Sequence, residues 1–110
     1  MKLVYVASPY SHDDFKVREE RYQKVFKFVA ETTAISKTFL YYSPILYFHT
    51  SAKNYNLPTD SQFWWNNNKL MLDKADEIVI LMLDGWDKSV GVALERGYAC
   101  AKGIPLSFVK

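Results

Sequence analysis

The chain has 110 residues, 49% of them hydrophobic and 16% aromatic, and a formal net charge of +2. This is the size of one domain with ample apolar side chains for a core. The charge is small and free of Lys/Arg blocks, which argues against a nucleic acid polymer as partner. No apolar stretch approaches the roughly 18 residues that cross a bilayer, so no membrane partner is expected either.

Leu3–Ala7 is a short apolar run of the kind that forms a buried parallel strand. It starts at once, with no signal-peptide pattern before it, so the expected compartment is the cytoplasm. Ser8-Pro9-Tyr10-Ser11 reads as a loop. A long helix is expected from about Asp13 to Ser36, with Tyr22, Val25, Phe26, Val29 and Ala30 as its core-facing stripe. Phe39–Tyr42 reads as a second strand, stopped by Ser43-Pro44, and the aromatic segment from Ile45 to Pro58 reads as irregular. A second helix is expected over Asp60–Lys74, capped by Thr59 or Asp60. Glu77–Leu83 is the third strand, Ser89–Lys102 a third helix closed by Gly103, and Pro105–Val109 a last short strand. The single cysteine, Cys100, excludes an internal disulfide and a thiolate metal cluster, and its place among small apolar residues reads as a buried hydrophobe.

Strands alternating with helices imply an α/β fold: a three-layer, flavodoxin-like or Rossmann-like sandwich with a four-stranded parallel sheet in the order 2-1-3-4. Such sheets bind ligands beyond the carboxyl ends of their strands. The loops there are Ser8–Asp13, Ser43–Pro58 and Asp84–Ser89.

The candidate site lies on those loops. Glu95 sits near the start of the third helix, with Gly91 one turn before it leaving room for a small ligand. Ser89 and the free amides of the first turn suit a phosphate. The bland alternative for Glu95 is a solvated helix charge. Tyr5, on a central first strand, is in reach of that helix, although core packing explains a tyrosine there equally. Ser8 and Tyr10 follow the same strand. Arg18 and Arg21, three apart on one helix face, are candidates for a phosphate, against the plainer reading of solvated charges. His49 is a candidate ligand contact, though a lone histidine after a strand is more often a hydrogen-bonded loop residue; His12 reads alike. Trp64 and Trp65 suit stacking on a base or, more simply, a core or interface. There is no Walker loop, no G-x-G-x-x-G after the first strand and no nucleophile elbow, and the two histidines lack metal-ligand spacing. Neither cofactor nor metal is expected.

Three motifs in register carry a likeness: Tyr5-Val6-Ala7-Ser8-Pro9-Tyr10-Ser11, Ser43-Pro44-Ile45, and Gly85-Trp86-Asp87-Lys88-Ser89 running on through Gly91 to Glu95. The chain resembles the nucleoside 2-deoxyribosyltransferase superfamily, which includes the 2′-deoxynucleoside 5′-monophosphate N-glycosidases, and within it a small branch that opens with this tyrosine-containing loop. The resemblance spans nearly the whole chain. It implies that Glu95 is the nucleophile that attacks the anomeric carbon and that Tyr5 orients it. Ser89 would contact a 5′-phosphate, where the transferases have an aspartate for the sugar hydroxyl, and Ser8 would belong to the loop around sugar and phosphate. Asn68 stands where the family usually has an aspartate near the departing base. An amide can hydrogen-bond a base but cannot protonate it.

The implied function is cleavage or transfer of the N-glycosidic bond of a (deoxy)nucleoside 5′-monophosphate through a glycosyl ester. With Asn68 in place, the proton for the base would come from His49, Asp73 or water, the substrate would carry a better leaving group, or the reaction would be slow. The alternative is a protein that binds a nucleotide or an ADP-ribose-like ligand without cutting it; a purely structural role is the blandest option. The resemblance also implies a homo-oligomer, with which the aromatic density of Tyr41–Tyr55 is compatible.

Overall fold

The computed structural model describes residues 1–110. The elements are β1 (Lys2–Ala7), α1 (Phe15–Ile35), β2 (Phe39–Tyr42), α2 (Pro44–Tyr55), α3 (Ser61–Lys74), β3 (Glu77–Leu81), a short 3₁₀ turn (Trp86–Lys88), α4 (Val90–Lys102) and β4 (Leu106–Val109). All strand pairs are parallel and the sheet order is β2-β1-β3-β4. This is the expected three-layer α/β architecture. Tyr5 pairs with Tyr42 on one side and Ile78 on the other, so β1 is central, as a fully buried run from Val4 to Ala7 requires.

Strand alternation sorts the core into two layers. Val6 and Leu81 face α1 and α2, where they meet Val25, Ile45 and Phe48. Tyr5, Ala7, Ile78 and Ile80 face α3 and α4, where they meet Leu72, Val92 and Ala99. The start of β3 is tied to β1 by Asp76: its carboxylate accepts the Leu3 N–H at 2.8 Å, and its own N–H donates to the Leu3 carbonyl at 2.8 Å.

Several expectations are corrected. Pro44–Tyr55 is a helix, not an irregular segment. Ser43 caps it, Pro44 occupies its first turn where no N–H is needed, and Asn56 ends it in the left-handed region. Its buried residues Ile45, Phe48, His49 and Ala52 follow helical spacing. On α1 the face turned inward runs through Tyr22, Val25 and Val29 with Phe28 beside them, while Phe26 and Ala30 are exposed. Cys100 is exposed, because the buried stripe of α4 is Val92, Glu95 and Ala99 and position 100 falls one step around the helix. β3 ends at Leu81, not Leu83. Ser89 and Asp60 are N-caps just outside their helices, each accepting an amide N–H from the first turn. Gly103 closes α4 at φ 72°. No helix is long and apolar enough to cross a membrane.

Candidate active site

In this strand order the topological switch lies between β1 and β3, and chains leaving their carboxyl ends diverge to opposite faces, opening a crevice. A cavity of about 120 Å³ occupies it. An engineered cavity of ~150 Å³ holds one benzene ring, so this space approaches, and falls somewhat short of, the volume of an enclosed ring site. Larger substituents would project through its mouth.

Each wall has a local cause. The loop after β1 brings Ser8 and Tyr10; α2 brings Ile45 and Phe48; α3 brings Trp64 and Asn68; the start of α4 brings Ser89, Gly91 and Glu95. Ser89 is held at the cavity because its hydroxyl accepts the Val92 N–H at 3.2 Å. The amides of Val90 and Gly91, in the first turn, lack intrahelical partners, which makes this end receptive to an anion. A Cβ on Gly91 would sit 3.4 Å from the Ser61 Cβ and 3.8 Å from the Ser89 Oγ, ordinary contact. The space that glycine leaves is therefore bounded by α3.

Glu95 is 5% exposed, on the buried face of α4, and lines the cavity. The Tyr5 hydroxyl, wholly buried behind it, donates to Glu95 Oε2. Burial pushes the Glu95 carboxyl up to about 8, and the Tyr5 hydrogen bond acts the other way. The Tyr5 phenol is itself held well above its usual range by burial and by the neighbouring Glu95 charge. The pair is thus one unit: a carboxylate kept from water, with its charged form favoured by a single phenolic donor.

Three further side chains shape the lining. Ser8 Oγ is buried and has no hydrogen-bond partner, an orphan that a ligand oxygen would satisfy. Asn68 is 8% exposed and lines the cavity. Trp64 is stacked on Phe48 at 4.6 Å between ring centroids, and its indole N–H donates to the Pro58 carbonyl at 2.8 Å, fixing the ring as a wall.

Other candidates lie elsewhere. Arg21 does not line the cavity; its guanidinium donates to the carbonyls of Tyr10 (3.3 Å), Ser11 (3.0 Å) and Asp84 (3.1 Å), clamping the loop after β1 to the loop after β3. Arg18 donates to the carbonyls of His12 and Asp13 at the head of α1. His49 is buried behind the wall, between the Tyr10 hydroxyl (2.6 Å from Nδ1) and Glu19 (3.0 Å from Nε2), with its ring stacked on Tyr22. Asp73 accepts the Tyr98 hydroxyl, outside the cavity. Trp65 packs edge-on against Tyr98 rather than in the site. Tyr47 and Tyr55 on α2 are exposed. No three His, Cys, Asp or Glu side chains gather in a metal-binding group.

The residues that sequence reading missed are the cavity walls on α2, above all Phe48. The spacing Ile45, Phe48, His49, Ala52 behind a Ser-Pro cap was the available signal.

No protein of curated function matches the chain. The profile of the family described as Domain of unknown function (DUF1937) matches residues 2–110, and the chain belongs to that family.

Proposed function

We propose that this protein breaks or transfers the N-glycosidic bond of a (deoxy)nucleoside 5′-monophosphate, with Glu95 attacking the anomeric carbon. The observation that carries this reading is the Glu95–Tyr5 pair at the wall of this cavity. One carboxylate oxygen is engaged by the phenol, leaving the other for the sugar. The phosphate goes to Ser89 and the α4 amides, and the orphan Ser8 hydroxyl meets a sugar or phosphate oxygen. The motif likeness to nucleoside 2-deoxyribosyltransferases supports the same roles for Glu95, Tyr5, Ser89 and Ser8. In the first step the Glu95 oxygen bonds to C1′ and the base departs with the C–N electron pair. Water, or a second base, then displaces the carboxylate. Arg21 serves by fixing the two loops that carry Ser8 and Ser89.

A second reading, a protein that binds a nucleotide or ADP-ribose-like ligand without cutting it, draws on Asn68: an amide stands where a proton donor would help the base leave. One experiment separates the two. The protein is incubated with deoxynucleoside monophosphates and the mixture is chromatographed for free base. Base release that Glu95→Ala reduces at least ~10²-fold supports glycoside cleavage. Tight binding with intact ligand recovered supports the binder, and neither binding nor release removes both.

A further inference from the structure

Leaving-group protonation contributes ~10²–10⁴-fold when an acid is at hand, and this cavity has no free one. Among its lining side chains only Tyr10, Asp60 and Glu95 carry an ionisable group. The Tyr10 hydroxyl is engaged by His49 Nδ1 at 2.6 Å, and Asp60 Oδ2 accepts the Phe63 N–H at 3.1 Å as the cap of α3. Glu95 is reserved for the sugar. His49 and Asp73, the remaining candidates, stand outside the cavity.

What the cavity offers is different. Asn68 lines the cavity, and a primary amide, with two donors and an acceptor, can pair with another carboxamide through two hydrogen bonds. Trp64 and Phe48 supply an aromatic wall against which a flat ring can pack. Glu95 supplies a buried carboxyl, and no basic side chain in the cavity lining stands ready to balance its charge when it ionises.

Building on the glycosidase reading above, we propose that the leaving group is a pyridinium carboxamide, so that the substrate is a nicotinamide-type nucleotide. Such a ring needs no acid. Glu95 Oε1 bonds to C1′, the C1′–N bond breaks, and its electron pair neutralises the pyridinium nitrogen as the ring departs uncharged. Water then attacks C1′, the ester C–O bond breaks, Glu95 regains its carboxylate, and the water proton passes to bulk solvent. A cationic substrate also favours the ionised form of a carboxyl that burial otherwise keeps protonated.

The test compares nicotinamide mononucleotide with the 5′-monophosphates of deoxyadenosine, deoxyguanosine, deoxycytidine and thymidine, measuring released base by chromatography. The expected result is faster turnover of the pyridinium nucleotide by at least ~10²-fold. Asn68→Asp, which restores an acid, should narrow that ratio by about the same factor. Should that variant fail to fold by circular dichroism, Asn68→Ser should lose affinity for the nicotinamide nucleotide but little for the ribotide of unsubstituted pyridine. Neutral-base monophosphates cleaved as fast as the pyridinium nucleotide, or equal losses for both ligands in Asn68→Ser, overturn the proposal while the glycosidase reading stands. No base released from any of the five removes both.

Discussion

Glu95→Gln keeps the shape of the side chain and an acceptor for the Tyr5 hydroxyl but removes an ionisable group from a buried site. In the unfolded chain the carboxyl titrates near 4.5, and in the folded protein near 8. Below pH 4.5 both states hold the proton and burial of the acid costs nothing through ionisation. Between the two values the unfolded chain is ionised and the folded one is not, so stability falls by about 1.36 kcal/mol per pH unit. At pH 7 the interval is about 2.5 units, a penalty of about 3 kcal/mol that Gln does not carry. At pH 5 it is under about 1 kcal/mol. The assay is urea unfolding at the two pH values, followed by tryptophan fluorescence. With m ~1–3 kcal/mol/M, the variant's midpoint should lie about 1–3 M above the parent's at pH 7 and only about 0.3–1 M above it at pH 5. A variant that gains stability while losing activity is what a functional buried acid predicts. A variant no more stable than the parent at pH 7, or a difference that ignores pH, would refute the reasoning.

Tyr5→Phe removes the donor that holds the Glu95 carboxyl down, so the alkaline rise in turnover should move above the parent's value of about 8. Turnover at pH 7 should fall about 10–100-fold, the worth of a hydrogen bond to a charged group; an unmoved pH profile would show that the phenol does not tune the acid. Ser8→Ala removes a buried hydroxyl that has no partner in the free protein, so the variant should unfold at equal or higher urea yet bind nucleotide more weakly by calorimetry. Loss of stability would mean that the hydroxyl serves the fold instead. Gly85→Ala places a Cβ 2.8 Å from Arg21 Nη2 at φ 87°. It should cost about 1–2 kcal/mol from the backbone alone and raise KM by loosening the Arg21 clamp, whereas unchanged stability and KM would count against the clamp.

The sheet was legible because buried parallel strands are short apolar runs between turn signals, and β1 and β3 have no competing pattern. Strand order put Tyr5 within reach of the helix that leaves β3, and the motif likeness pointed to its pairing with Glu95, which the structure contains. What stayed hidden depended on contacts that spacing does not encode. α2 has many aromatic and polar residues with modest helix propensity, and the structure explains its helicity by a cap, a first-turn proline and a face buried against α1 and β1. Arg18 and Arg21 carry charges suited to phosphate, yet their guanidinium groups are spent on carbonyls of neighbouring loops. Cys100 and Phe26 show how a one-residue step on a helix separates core from solvent.

The most direct test of Glu95 as nucleophile is acid-quenched mass spectrometry of protein mixed with nicotinamide mononucleotide or a deoxynucleoside monophosphate, with Glu95→Gln alongside. A sugar-phosphate adduct is expected on the peptide that carries Glu95 and none on the Gln variant, which releases no base. An adduct on another residue, or base release by Glu95→Gln at the parental rate, would contradict that role.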